Sequence, residues 1–193
     1  MNGHHLILGE LIDTVTGETL EDTHDERYRQ KIARILLSEK GFSRGEITPR
    51  VPLTVAAGSR RGRIRVDFLV AVDERPAMMV KYGPGSLITR HRPALAMSRL
   101  LADHQIPVVV VTNGEEAEVL DGASGRLAGR GFDAVPDRAG LGEIAARSAL
   151  DPVPPRRAEM EARIVYCYEI DGSCPCDTDI CRLGEEEEVK AEG

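Results

Sequence analysis

The chain has 193 residues, 41% apolar and 30% charged, and its longest apolar run, "IPVVVV", is far too short to span a membrane. With no tryptophan and 4% aromatic residues it offers no base-stacking platform. Its net charge of −7 is uneven: residues 1–150 balance 20 basic against 20 acidic groups, while residues 151–193 hold 5 against 12, which argues against strong non-specific DNA binding by the whole and leaves local patches to supply any.

"MNGHHLILGELID" has no basic flank and no small-residue cleavage site, so a cytoplasmic protein without a signal peptide is expected. "GELIDTVTGETLED" alternates apolar and polar residues around Thr16-Gly17 and predicts a short hairpin. In "DTHDERYRQKIARILLSEKGF", Tyr28, Ile32, Ile35 and Leu36 recur at helical spacing. Thr23 and Glu26 form a capping-box pattern and Gly41 a stop, so a helix is predicted over residues 24–40.

Three strands follow, "EITPRVPLTVAA", "RIRVDFLVAV" and "PAMMVKY", joined by the turns "GSRRG" and "DER" as an antiparallel meander. "KYGPGS" reads as a tight turn ending the third strand. It lacks the P-loop pattern, and Pro84 removes a donor that a phosphate would need. "RPALAMSRLLADH" predicts a second helix with Pro93 in its first turn, and "IPVVVVT" a strand buried on both faces. "EEAEVLD" and "GRLAGRG" form a closing hairpin, and a short helix is expected near residues 138–149.

The order of elements predicts an α/β (α+β) protein with a central mixed sheet flanked by helices. Residues 1–150 make one domain. Residues 151–193 are read as a Pro-rich linker "DPVPPRR", a short polar helix, a Cys-rich appendage and the acidic tail "GEEEEVKAEG", expected to be disordered.

"DERYRQKIARILLSEKGF", "RVDFLVAVDERP" and "IPVVVVTNGEEAEVLD", in that order, resemble the N-terminal domain of type I restriction enzyme R subunits, a branch of the PD-(D/E)xK nucleases. The resemblance implies a restriction-endonuclease-like core over about residues 18–137. It also implies a site in which an Asp and a Glu on neighbouring strands hold Mg²⁺ and a Lys two residues after the Glu assists water attack on a DNA phosphate. The carried-over Asp is Asp67, and the acid from the first helix is Glu26. Aligned on "ERP", Lys81 stands at the Glu position and Gly83 at the Lys position. Shifted by two, Lys81 becomes the lysine and Met79 replaces the acid. Either way one carboxylate is missing. A lysine beside Asp67 would repel Mg²⁺ and pair with the aspartate, leaving a vestigial site of Asp67, Lys81 and Glu26. The blander account makes Asp67 and Lys81 the polar ends of two strands.

Two arginine clusters are candidate phosphate contacts or solvated turns: Arg60, Arg61 and Arg63 in "SRRGRIR", and Arg90 and Arg92 in "TRHRP". His4, His5, His24, His91 and His104 show no ligand spacing. All four cysteines fall in "CYEIDGSCPCDTDIC". Cys167, Cys174, Cys176 and Cys181 could close a tetrahedral thiolate site for zinc or an iron–sulfur cluster, with disulfides or free thiols as the other readings.

The expected function is a nucleic-acid-associated protein without nuclease activity, partnered by DNA or by a restriction-modification or DNA-processing protein. The alternatives are a metal-binding or redox-responsive interaction module on a degenerate nuclease scaffold, and an active Mg²⁺-dependent endonuclease.

Overall fold

The computed structural model describes residues 7–172 and 180–183. A two-stranded hairpin, β1 (Glu10–Ile12) and β2 (Thr19–Glu21), comes first. Its turn is closed by Asp13, whose carboxylate accepts from the backbone of Val15 (2.7 Å) and Thr16 (2.9 Å). Helix α1 (His24–Arg34) begins where the Thr23 hydroxyl accepts from the Glu26 N–H, and continues as a π-helical turn, Ile35–Glu39.

The meander is β3 (Ile47–Ala57), β4 (Arg60–Val72) and β5 (Arg75–Tyr82). Asp73 and Glu74 both have positive φ, which fits a two-residue hairpin turn to the twist of β4 and β5. After α2 (Ile88–Ser98), β6 (Val108–Thr112) adds parallel to β5, all five of its residues buried. The hairpin β7 (Ala117–Asp121) and β8 (Leu127–Arg130) completes that side of the sheet, and α3 (Arg138–Arg147) follows, capped by Asp137.

The mixed sheet has seven strands in the order β3-β4-β5-β6-β7-β8, with β9 (Cys181–Leu183) paired to the first part of β4. One face packs on α1 and α3 through Ile32, Leu36, Phe68, Val80 and Leu141. The other packs on α2 and α4 (Pro155–Val165) through Met79, Met97, Val109 and Val165. Among the described residues no helix is long and apolar enough to cross a membrane.

Two local expectations are corrected. The turn in "GSRRG" is only Gly58-Ser59, so Arg60 and Arg61 already belong to β4. Gly62 lies inside that strand because a Cβ there would come within 2.5 Å of Ile170, which presses onto β4 from a π-helical turn, Tyr166–Asp171. Helix α2 starts at Ile88, which leaves Pro93 inside it rather than in its first turn.

The stretch read as a Pro-rich linker, a short polar helix and an appendage also packs on the sheet. It contributes α4 to the second layer, with Val165, Tyr166 and Ile170 buried there, each aliphatic side chain contributing about 2 kcal/mol. The helix looked solvent-facing because its inward Glu161 is polar. That carboxylate meets Arg92 (2.6 Å), Arg99 (2.8 Å) and Arg157 (3.4 Å). Burial pushes the Glu161 pKa up, but the arginines outweigh it and hold it below the usual value. Glu161→Ala strands the buried Arg99, so urea unfolding should show a loss of about 3 kcal/mol. A loss below about 0.5 kcal/mol, the range of an ordinary surface change, would mean that this cluster does not hold α4.

Candidate functional site

Strand β4 carries one acid in an otherwise apolar stretch, and the sheet register decides its neighbours. Phe68 pairs with Val80 and with Pro49, so Asp67 stands between Lys81 on β5 and Arg50 on β3. The alternation of β4 is interrupted here: Val66, Asp67 and Phe68 are all buried. Ile64 and Val66 pack with the α2/α4 core, while Phe68 and Val70 pack with the α1/α3 core. The opposed residue Arg50 has φ +53°. Asp67 therefore sits where the strand passes from one core to the other.

Both Asp67 oxygens are engaged. Oδ1 accepts from Arg29 Nε at 2.7 Å. Oδ2 accepts from the Tyr82 N–H at 2.8 Å and lies 3.3 Å from Lys81 Nζ. Burial pushes the Asp67 pKa up, but the charges of Lys81 and Arg29 and the two hydrogen bonds overcome it, and the net shift is downward. Arg29 also lies over the Tyr82 ring (5.6 Å). The Tyr82 hydroxyl donates to Asp25 (2.9 Å); burial and this bond raise the phenol's pKa.

Glu26 reaches the same cleft from α1. It accepts from Gln30 (2.9 Å), lies 3.6 Å from Arg29 Nη1 and 4.0 Å from Arg50 Nη1. Arg29 thus bridges the two carboxylates that a metal would have to bridge. Arg50 also binds Asp13 closely and Glu18 at 3.3 Å, tying the N-terminal hairpin to β3. The remaining cleft, about 200 Å³, opens between Glu26, Arg29, Arg50, Arg65 and Asp67.

A Mg²⁺ ion requires oxygen ligands free to face it. This donor set does not provide them, because guanidinium and ammonium groups occupy the carboxylates. Neither register of the β5 motif restores the acid and lysine together: in one, Lys81 holds the acid position and Gly83 the lysine position, where a Cβ would lie 2.5 Å from the Arg90 guanidinium, and in the other the acid position is Met79, fully buried in the α2/α4 core.

The arginine candidates separate. Arg60 pairs with Asp171 (2.9 Å) and covers the Tyr166 ring, and Arg92 pairs with Glu161. Arg90 folds back onto the Pro84 carbonyl (2.8 Å). Arg61 and Arg63 are exposed on β4, in one row with Arg65. Beside that row on β3 lie the exposed Pro52, Thr54 and Ala56. The Gly83 N–H donates to the Thr112 carbonyl (3.0 Å), so the Gly-Pro-Gly turn does not offer it to a ligand.

Cys167 and Cys181 are free and exposed, and Cys174 and Cys176 lie outside the described residues, as does the acidic tail. Among the described residues no group of three or more potential ligands converges on a metal position. His91 meets Glu118 (2.5 Å) and His104 meets Asp103 and the Pro76 carbonyl (2.8 Å each), both away from the cleft.

Arg29, Arg50 and Asp13 do not stand out in the sequence. Arg29 carries a usable signal, one turn after Glu26 on the same helix face. Arg50 and Asp13 carry none, since their meeting depends on how the hairpin docks.

A family model described as the type I restriction enzyme R protein N terminus matches residues 24–136, from the start of α1 to the residue before the α3 cap. No curated protein and no solved structure matches the chain.

Proposed function

Because the chain belongs to the family of type I restriction enzyme R protein N termini, we propose that it is a cytoplasmic, nucleic-acid-associated module that keeps the nuclease core without its hydrolytic chemistry. Its partner is DNA, or a DNA-processing protein acting on it. The observation that carries this reading is the state of Asp67, held by Arg29, Lys81 and the Tyr82 N–H.

To reach Asp67, Mg²⁺ must displace one of the two cations. A unit cation left about 4 Å away opposes a divalent ion by roughly 8 kcal/mol at an effective dielectric of about 20. The family's metal step is therefore not assigned to this chain. Association with nucleic acid is supported by the exposed row Arg61, Arg63 and Arg65.

A plasmid-nicking assay with Mg²⁺ or Mn²⁺ should show no cleavage, while salt-dependent DNA binding persists. Nicking that disappears in Asp67→Ala would overturn the proposal.

The cysteines support a second assignment, a metal-binding segment. We propose that Cys167, Cys174, Cys176 and Cys181 hold zinc or an iron–sulfur cluster. Four thiols fall within 15 residues. The flanks of that segment also meet, since Arg182 Nη2 donates to the Ile170 carbonyl (3.1 Å). Anaerobically purified protein should contain stoichiometric zinc or iron that is lost in Cys181→Ser. Four freely titrating thiols in metal-free protein would refute this.

A further inference from the structure

One wall of the cleft comes from outside the matched family core. Leu20 and Glu21 of β2 line it, whereas the match to the family model begins at residue 24. Residues 7–22 hold five acids and no lysine or arginine. Two of those acids, Asp13 and Glu18, engage Arg50.

The hairpin therefore sets the charge of the cleft. In and around it the core supplies four cations, Arg29, Arg50, Arg65 and Lys81, and two carboxylates, Glu26 and Asp67. Asp13, Glu18 and Glu21 add three carboxylates, and the surplus of positive charge disappears. With the hairpin swung away, Arg50 keeps only Glu26, at 4.0 Å, and the cleft becomes cationic, as a phosphate site must be.

The attachment lets the hairpin leave. Val15 is the one apolar side chain buried among residues 7–22, while Ile7, Leu8 and Ile12 are exposed. The other ties are polar. The Thr14 N–H and hydroxyl donate to Gln30 (2.7 Å each), and Arg44 donates to the Thr14 carbonyl (3.1 Å). Opening returns Asp13 and Arg50 to water together, so neither is left as the buried unpaired charge that makes deleting one partner costly. A segment with so little buried apolar surface lies at the low-stability end of a fold.

We propose that the hairpin β1–β2 is an autoinhibitory strap: its carboxylates hold Arg50 and the cleft wall in place of a nucleic-acid phosphate, and the cleft admits phosphate when the hairpin swings out. The latch stands on the contacts just described; what it excludes rests on the nucleic-acid reading above.

The test compares the full chain with D13N/E18Q. This removes both hairpin charges on Arg50, while an asparagine side chain keeps an oxygen for the Val15 and Thr16 N–H groups. Hydrogen exchange read by mass spectrometry reports the latch without any ligand. Residues 10–21 should exchange several-fold faster in the variant, with the buried β6 unchanged. A short DNA duplex should bind the variant several-fold more tightly, because more of the protein is already open. D73N/E74Q, exposed in the turn between β4 and β5, makes the same change in net charge away from the cleft and should bind like wild type at about 0.1 M salt. In the wild type, saturating duplex should itself speed exchange of residues 10–21.

Equal hairpin exchange in wild type and D13N/E18Q would overturn the latch. Faster exchange with unchanged duplex affinity, or an equal gain in D73N/E74Q, would overturn the masking of the cleft. Protection of residues 10–21 by duplex in the wild type would overturn the strap, however the variant behaves or folds. Faster exchange with no duplex binding by any of the proteins would leave the latch standing and remove the nucleic-acid reading instead.

Discussion

Asp67→Ala is expected to cost about 3–5 kcal/mol of unfolding free energy, the range for breaking a buried ion pair by removing one partner. The carboxylate is fully enclosed and is the meeting point of α1, β4 and β5. Without it, Lys81 loses its carboxylate partner and the Tyr82 N–H its acceptor. Arg29 is spared part of the loss, because Glu26 is within 3.6 Å.

Asp67→Asn separates charge from shape, and its pH dependence has a definite sign. The folded carboxylate's pKa lies below the ordinary value. Its contribution is therefore fully present above the unfolded pKa near about 4, and is lost only as pH falls through the lower folded value. Urea unfolding of wild type and Asp67→Asn should differ by a constant amount from about pH 5 to 8 and converge below about pH 4. Convergence that begins above about pH 5 would contradict the ion-paired state.

The triple variant Arg61→Ala, Arg63→Ala, Arg65→Ala should bind duplex DNA roughly 100-fold more weakly at about 0.1 M salt, and its salt slope should shrink by about 0.9 for each phosphate no longer neutralised. All three side chains are exposed. Arg92→Ala is the contrasting case. Arg92 is committed to Glu161, so its loss should lower stability and leave the salt slope unchanged. A triple variant that binds like wild type would remove the row as the nucleic-acid surface.

The sequence exposes the parts of this molecule whose pattern is local. Helix α1 is legible from its spacing and cap, β6 from its unbroken valines, and Asp67 because an acid in "RVDFLVAV" conflicts with the strand around it. Helix α4 is legible as a short polar helix, but its inward face is not. Its buried residues include a glutamate, and a carboxylate looks solvent-facing until Arg92 and Arg99 from elsewhere in the chain are known to meet it. The site is half legible for the same reason. The cross-strand pair of Asp67 and Lys81 follows from the meander register. The positions of Arg29 and Arg50 follow from the packing of α1 and the N-terminal hairpin against the sheet, which no short window encodes.

Strand β4 has different neighbours along its length: β5 pairs with residues 68–72 and β9 with residues 61–63. The second of these neighbours is synthesised long after β4 itself. Until it emerges, the early part of β4 presents an unsatisfied backbone edge beside the apolar Ile64 and Val66, a template for pairing with another nascent chain. Charged side chains are what keep such an edge from sticking, and Arg61, Arg63 and Arg65 alternate along this one. The same row would thus guard the polypeptide against aggregation before the fold is closed, and a chain truncated short of β9 would depend on that protection permanently.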